Sequence, residues 1–200
     1  MKFEIFKFKN VTSTNDEAIN LIKNKKKETG CVYAKKQTKG RGTQGKKWIS
    51  TVDNFFGSIF FQLKDEYPPF NEFSVINPII ISDVMQNFCE KRNITFKWPN
   101  DVFVNKKKIC GVLQELITSN NREFLIIGIG INIVSNPNIK EKYQATNIFS
   151  ETKKKPSINE IANLIITSYE NFFMNINSYN YANFKRKADF MNLNKTINQQ

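Results

Sequence analysis

Apolar and polar residues alternate with two different periods along this chain, and the switches between them mark its elements. Phe3, Ile5 and Phe8 alternate with Lys2, Glu4 and Lys7, which predicts an opening strand over 3–8. Thr12, Ser13, Thr14 and Asn15 then offer hydroxyl and amide caps ahead of Asp16 and Glu17, two acids that suit a positive helix end. Ala18, Leu21 and Ile22 are the buried face of that helix. Residues 23–28 are its basic, solvated end, closed by Gly30. A strand over 31–35 leads through Gln37 and Thr38 into a glycine-rich loop. Residues 54–63 are apolar and aromatic and predict a central strand. A helix begins near Pro78, with Ile81, Val84, Met85, Phe88 and Cys89 on its core face, so Cys89 reads as packing. Short strands over 94–96 and 102–104 flank Pro99, which cannot extend a strand ladder. Strands over 109–118 and 123–134, joined by the turn 119–122, predict an antiparallel meander. Residues 136–155 are polar and read as loop. Ser157 and Glu160 form a capping box ahead of a stripe of Ile161, Leu164, Ile165, Ser168 and Phe172, and a last helix covers 181–190.

Length and composition narrow the class. Two hundred residues suit one domain with the start of a second. Apolar residues make up 40%, enough for a core, and 18 Phe make it rich in rings. The formal charge of +12 fits a nucleic-acid binder, or a sequence in which Lys, Asn and Ile are abundant everywhere. A basic surface also favours an acidic protein partner or an anionic nucleotide. There is no histidine, which removes His-based triads, bases and metal sites together. Cys31, Cys89 and Cys110 lack metal-ligand spacing, and an odd count without a signal peptide points to the reducing cytoplasm. No apolar run reaches the roughly 18 residues of a membrane span.

Three stretches carry candidate chemistry. Lys97-Trp98-Pro99-Asn100-Asp101 ends one short strand and starts the next, placing a lysine and a carboxylate at the mouth of a sheet with Trp98 packed between them. Taken alone, Lys97 reads as solvated. Gly40-Arg41-Gly42-Thr43-Gln44-Gly45-Lys46-Lys47-Trp48 has the glycines and cations of a backbone that wraps an anion, or of a basic surface turn. Its residues bury little, so the loop is expected to move without ligand. Gly128-Ile129-Gly130-Ile131-Asn132 puts two glycines inside an apolar strand, where a ligand or another backbone comes close.

In this order, with Ser13-Thr14-Asn15 before them and Lys108-Ile109-Cys110-Gly111-Val112-Leu113-Gln114-Glu115 between the last two, these stretches resemble the catalytic domain of biotin protein ligases. The likeness runs from about Phe3 to the chain end. It implies an α+β fold, a mixed and largely antiparallel sheet with helices packed on one side, like class II aminoacyl-tRNA synthetases. It implies ATP-dependent activation of biotin as biotinyl-5'-AMP, with Mg²⁺ riding on the phosphates and no protein metal site. The biotin would then pass to a lysine of a biotin carboxyl carrier protein. By the same resemblance Ser13, Thr14, Asn15, Gln37, Gly40, Arg41, Lys97, Gly111 and Leu113 bind biotin. Arg41, Gly42, Thr43, Trp48, Lys97, Asn100 and Asn132 hold the adenylate. Lys97 and Arg41 stabilise phosphate charge, and Asp101 either orients Lys97 or accepts a proton from the incoming lysine. Helix capping for residues 13–15 and core packing for Leu113 stay open as local readings.

Many relatives carry arginine where this chain has Thr43, so adenylate retention is expected to be looser here. The expected domains are a catalytic unit over 1–190 and, over 191–200, the start of a small SH3-like domain. Nothing before residue 3 has room for a helix-turn-helix, so no DNA role is expected. A homodimer through the sheet edge is expected by analogy. The rivals are a lipoate or octanoate ligase on the related fold, a basic nucleic-acid binder, and a non-catalytic biotin-binding module.

Overall fold

The computed structural model describes residues 1–137 and 143–192. Its strands are β1 (Ile5–Val11), β2 (Thr29–Gln37), β3 (Phe55–Gln62), β4 (Ile94–Lys97), β5 (Asp101–Val104), β6 (Lys107–Ser119) and β7 (Arg122–Ile131). They form one sheet in the order β1-β2-β3-β7-β6-β5-β4. Only β1 and β2 pair in parallel; the other neighbours are antiparallel. The meander from β4 to β7 is the predicted one. The helices are α1 (Thr14–Lys25), α2 (Phe73–Met85), α3 (Ile148–Thr152), α4 (Ile158–Met174) and α5 (Tyr181–Phe190).

Helices cover both faces, which corrects the one-sided expectation. On one face, Ala18, Leu21 and Ile22 of α1 pack on Val32, Phe60, Phe124 and Ile126. On the other, α2, α4 and Ala188 of α5 enclose Cys31, Tyr33, Ile59, Phe61, Leu125, Ile127 and Ile129. Neighbouring residues of β2, β3 and β7 thus point to opposite layers, as strand geometry requires. Each buried Phe or Ile stabilises the fold by about 1.5–3 kcal/mol. The cysteines are buried thiols: burial pushes Cys31 up to about 12 and Cys89 up to about 11, so they pack rather than react.

Several local expectations shift. The first strand starts at Ile5, which is exposed, and it is Phe6 and Phe8 that pack inward. The first helix ends at Lys26 in a left-handed turn, not at Gly30. Gly30 lies inside β2, where a Cβ would sit 2.6 Å from the Phe60 ring. Pro78 lies within α2, which starts at Phe73. A proline there costs about 3 kcal/mol, and burial of α2 on nearly every side offsets it. The stripe of α4 centres on Ala162, Ile166, Tyr169 and Phe173 as well as Ile161 and Ile165. Its predicted Ser157–Glu160 capping box forms. Helix α3 stands inside the predicted loop, capped by Asn147 Oδ1 accepting from Ser150 N–H. The expected start of a second domain lies outside the described residues from position 193 onward.

Candidate functional site

The site is built by strand alternation. On β6, Gly111, Leu113 and Glu115 face α1; on β7, Gly128 and Gly130 do the same, with Asn132 just beyond. The residues between them, Val112, Ile127, Ile129 and Ile131, enter the main core. The glycines make a floor with no side chains. A Cβ on Gly128 would stand 2.5 Å from Asn15 Oδ1, and one on Gly130 would stand 2.4 Å from the Trp48 ring. Four residues separate Gly128 from Asn132, so the cleft is about 13 Å long at the strand rise.

One end is lined by neutral polar side chains, with the paired Arg41 and Glu115 beside Asn15. Thr14 N–H donates to Gln37 Oε1 at 2.8 Å, and Gln37 Nε2 donates to Ser50 Oγ at 3.2 Å. The Ser58 hydroxyl lies 2.5 Å from Asn15 Oδ1 and 2.7 Å from Thr14 Oγ1. Ser13 is buried at the N-terminus of α1, yet its side chain caps nothing. Ser13, Thr14 and Asn15 all line the cleft, and the expected side-chain cap from Ser13 does not form.

The middle is filled by Trp48, whose ring lies on Gly111 and Gly130. About 100 Å³ remains open to water-sized molecules, room for about three waters. The far end is cationic. Lys108 Nζ lies 2.8 Å from Asp101 Oδ1, a charge pair without hydrogen-bond angles, and 5.7 Å from the Trp48 ring centre. Lys46 and Lys47 also line the cleft, and neither pairs with a carboxylate among the described residues. Asn132 Nδ2 donates to Thr146 O at 2.9 Å. Asn132 Oδ1 and Trp48 Nε1 are buried with no partner among the described residues.

Of the residues expected from sequence, Ser13, Thr14, Asn15, Gln37, Arg41, Gly42, Thr43, Trp48, Asn100, Asp101, Gly111, Leu113 and Asn132 line this one cleft. Gly40 stands outside the lining but shapes the loop: its carbonyl accepts Trp48 N–H at 3.0 Å. Lys97 is also outside the lining, with Nζ 4.6 Å from the Tyr143 ring centre. Trp98 is 62% exposed and is not packed between Lys97 and Asp101; Trp48 is the tryptophan that packs in the site.

Arg41 turns its guanidinium to carboxylates: Nη1 pairs with Asp16, and Nη2 donates to Glu115 Oε2 at 2.8 Å and Oε1 at 3.1 Å. Burial alone would lower its pKa, but the hydrogen bonds to Asp16 and Glu115 outweigh it and raise it.

Sequence reasoning passed over Lys108. Its spacing of three from Gly111 puts it on the wrong face of a regular strand. The register between β5 and β6 shifts at Val102/Phe103, where Cys110 pairs with Val102 but Lys108 pairs with Phe103. Ile109 is the extra residue, and both it and Cys110 enter the core. A bulge of one residue turns Lys108 onto the cleft face. The Lys-x-x-Gly spacing was the available signal.

The seven-stranded mixed sheet, with its helices and a cleft over glycine strands, is the class II aminoacyl-tRNA synthetase-like fold of biotin protein ligases. The chain belongs to the biotin/lipoate A/B protein ligase family, whose model matches residues 5–132. It is 34% identical over 131 residues to the bifunctional ligase/repressor BirA of Bacillus subtilis, covering 64% of this chain and 40% of that one. It is 29% identical over 127 residues to the biotin--[acetyl-CoA-carboxylase] ligase of Paracoccus denitrificans, covering 62% and 52%. The chain thus spans about half, or less, of these relatives' length. Among solved structures it resembles the Leishmania major biotin protein ligase in complex with biotinyl-5-AMP, with TM-score 0.79, 25% identity, and 96% of this chain and 82% of that one covered. It also resembles the Aquifex aeolicus biotin protein ligase in complex with biotin and ATP, with TM-score 0.78, 28% identity, and 95% and 78% covered.

Proposed function

We propose that residues 1–190 form a biotin protein ligase unit that activates biotin with ATP and passes it to a lysine of a biotin carboxyl carrier protein. The observation that carries this reading is the gradient along the cleft, from a polar hydrogen-bonding end to a cationic end. A ureido ring, with two donors and one carbonyl acceptor, suits Thr14, Asn15, Ser58 and Gln37. An octanoyl chain or a dithiolane offers those groups no matching set of donors and acceptor. The same family's lipoate branch is therefore the less suited reading. The ring's tail would cross Gly111 and Gly130 after the Trp48 indole swings away. Its carboxylate would then arrive beside Lys108.

In the first step a biotin carboxylate oxygen attacks the α-phosphorus of ATP, and the bond to pyrophosphate breaks. Two anions meet, so cations must offset their charge. Lys108, oriented by Asp101, takes the role that sequence alone assigned to Lys97. Lys46 and Lys47 offset phosphate charge further out. Asn132 Oδ1 is a free acceptor for an adenine amino group. In the second step the carrier's lysine amine attacks the acyl carbon and AMP leaves. Among the described residues no three acidic, His or Cys side chains gather as a metal site. We take Mg²⁺ to come with the triphosphate as part of the substrate.

The proposed setting is the cytoplasm, in keeping with three free thiols; among the described residues no helix is long and apolar enough to cross a membrane. The proposed partners are the carrier and, through the open edge of β1, a second copy of this chain. DNA is not among them.

Biotin-dependent ATP–pyrophosphate exchange tests the reading, with octanoate and lipoate as controls. Exchange is expected with biotin alone. Lys108→Ala is expected to lower it by about 100-fold or more, and Lys97→Ala by only a few-fold. Exchange with octanoate or lipoate instead would move the chain to the lipoate branch, and a larger loss in Lys97→Ala than in Lys108→Ala would return the role to Lys97.

A further inference from the structure

The Arg41 side chain carries the charge of the glycine loop across to two other elements. Asp16 stands in the first turn of α1 and Glu115 on β6, and both carboxylates close on the same guanidinium. One cation between two anions leaves the trio net negative. In this arrangement it repels a phosphate rather than holding one, while Lys46, Lys47 and Lys108 also line the cleft as cations.

Glu115 has a second contact. Its Oε2 also accepts Asn15 Nδ2 at 2.5 Å, and Asn15 Oδ1 is the acceptor of Ser58. From Ser58 the contacts pass to Thr14, then Gln37, then Ser50. The loop between β2 and β3 is thus held at Arg41 on one side and at Ser50 on the other. Both holds belong to the network that lines the polar end of the cleft.

We propose that Arg41, Asp16 and Glu115 form a positioning clasp that seats the glycine loop and couples it, through Asn15, to occupancy of the cleft's polar end. Asn15 can serve a ligand only while Glu115 holds its amide in place, and Glu115 keeps that position only while Arg41 bridges it. A ligand that orders Asn15 therefore tightens the loop that must cover the other end. The pairs are part-exposed, with 36% of the Arg41 side chain and 30% of the Glu115 side chain open to solvent, so salt weakens the clasp. The forked geometry of guanidinium on carboxylate is what a lysine cannot copy.

The coupling to biotin rests on the function proposed above; the clasp itself can be measured without any ligand. The full chain is treated with trypsin, and cleavage after Lys46 and Lys47 is followed by mass spectrometry. Cleavage after Lys153, in a turn remote from the clasp, serves as the internal reference. Glu115→Gln and Asp16→Asn are expected to speed loop cleavage several-fold at unchanged reference cleavage. Arg41→Lys is expected to fall between them and the wild type. Added salt should speed loop cleavage in the wild type and not in Glu115→Gln. With biotin present, the wild-type loop should become protected and that of Glu115→Gln should not, with KM for biotin raised more than kcat is lowered. Unchanged loop cleavage in both carboxylate variants, in protein that still melts cooperatively, overturns the clasp. Faster loop cleavage in the variants without any biotin effect supports the clasp and removes the ligase reading instead.

Discussion

At the residue scale, two lysines separated by eleven positions compete for one role, and the geometry favours the second. Lys97 ends β4 and covers the Tyr143 ring, whereas Lys108 reaches Asp101 at the rim of the cleft. Gly128 and Gly130 show why small residues are required: any side chain would strike Asn15 or Trp48. Thr43 stands where the resemblance leads one to expect an arginine. It lines the cleft, and its hydroxyl is 3.5 Å from Asn100 Nδ2. A short hydroxyl cannot fork onto a phosphate as a guanidinium does, so the activated acid should escape more readily. Thr43→Arg is expected to reduce labelling of bystander lysines at equal adenylation rate, as scored by streptavidin blot of a mixed-protein reaction. Equal bystander labelling in the two proteins would count against this.

At the element scale, the sheet serves two purposes at once because its faces are separate. The Gly-x-Gly-x-Asn and Gly-x-Leu-x-Glu spacings are strand periods, with the cleft on one face and the core on the other. Behind that core face, α4 and α2 are joined by a buried contact in which Tyr169 Oη donates to Asn77 Oδ1 at 2.9 Å. Asn77 Nδ2 in turn lies 3.2 Å from Gln114 Oε1 on β6. Tyr169→Phe strands the Asn77 acceptor in the interior, at a cost of about 1–3 kcal/mol. Thermal unfolding should show a melting temperature lower by several degrees. Pyrophosphate exchange per folded molecule should be unchanged, since neither group reaches the cleft.

Across the whole molecule, the charge excess acts through pH. Glu170 of α4 holds the chain start, accepting from Lys2 Nζ at 2.7 Å and from Phe3 N–H at 3.2 Å. Burial alone would raise its pKa, but these partners outweigh it and hold it below the usual carboxylate range. Glu151 is lowered in the same way, by Thr146, Asn105 and Lys107 against burial. A depressed carboxylate contributes stability above its unfolded pKa, about 4.3 for Glu. That stability is lost as pH falls through the folded value. Acid also adds charge to a chain already at +12, which works in the same direction. Urea unfolding should therefore show stability falling steeply below about pH 4.5. Glu170→Gln should be less stable at pH 7 and show a shallower fall; an unaltered slope would remove Glu170 from the account.

The sequence by itself determined the order of the strands and of every helix but α3, the meander from β4 to β7, the capping box of α4 and most of the cleft's lining. The elements follow from period and spacing, which are local properties of the chain; the lining follows from the resemblance of its motifs to those of biotin protein ligases. Only the tertiary structure decided which lysine faces the cleft, because the bulge at Ile109 arises from pairing β6 with β5 and inverts the face that alternation assigns. It also decided that Trp98 is exposed rather than packed between Lys97 and Asp101, that helices cover both faces, and that Arg41 meets Asp16 and Glu115. Each of these depends on residues far apart in sequence meeting across the sheet, and no local pattern records which ones will meet.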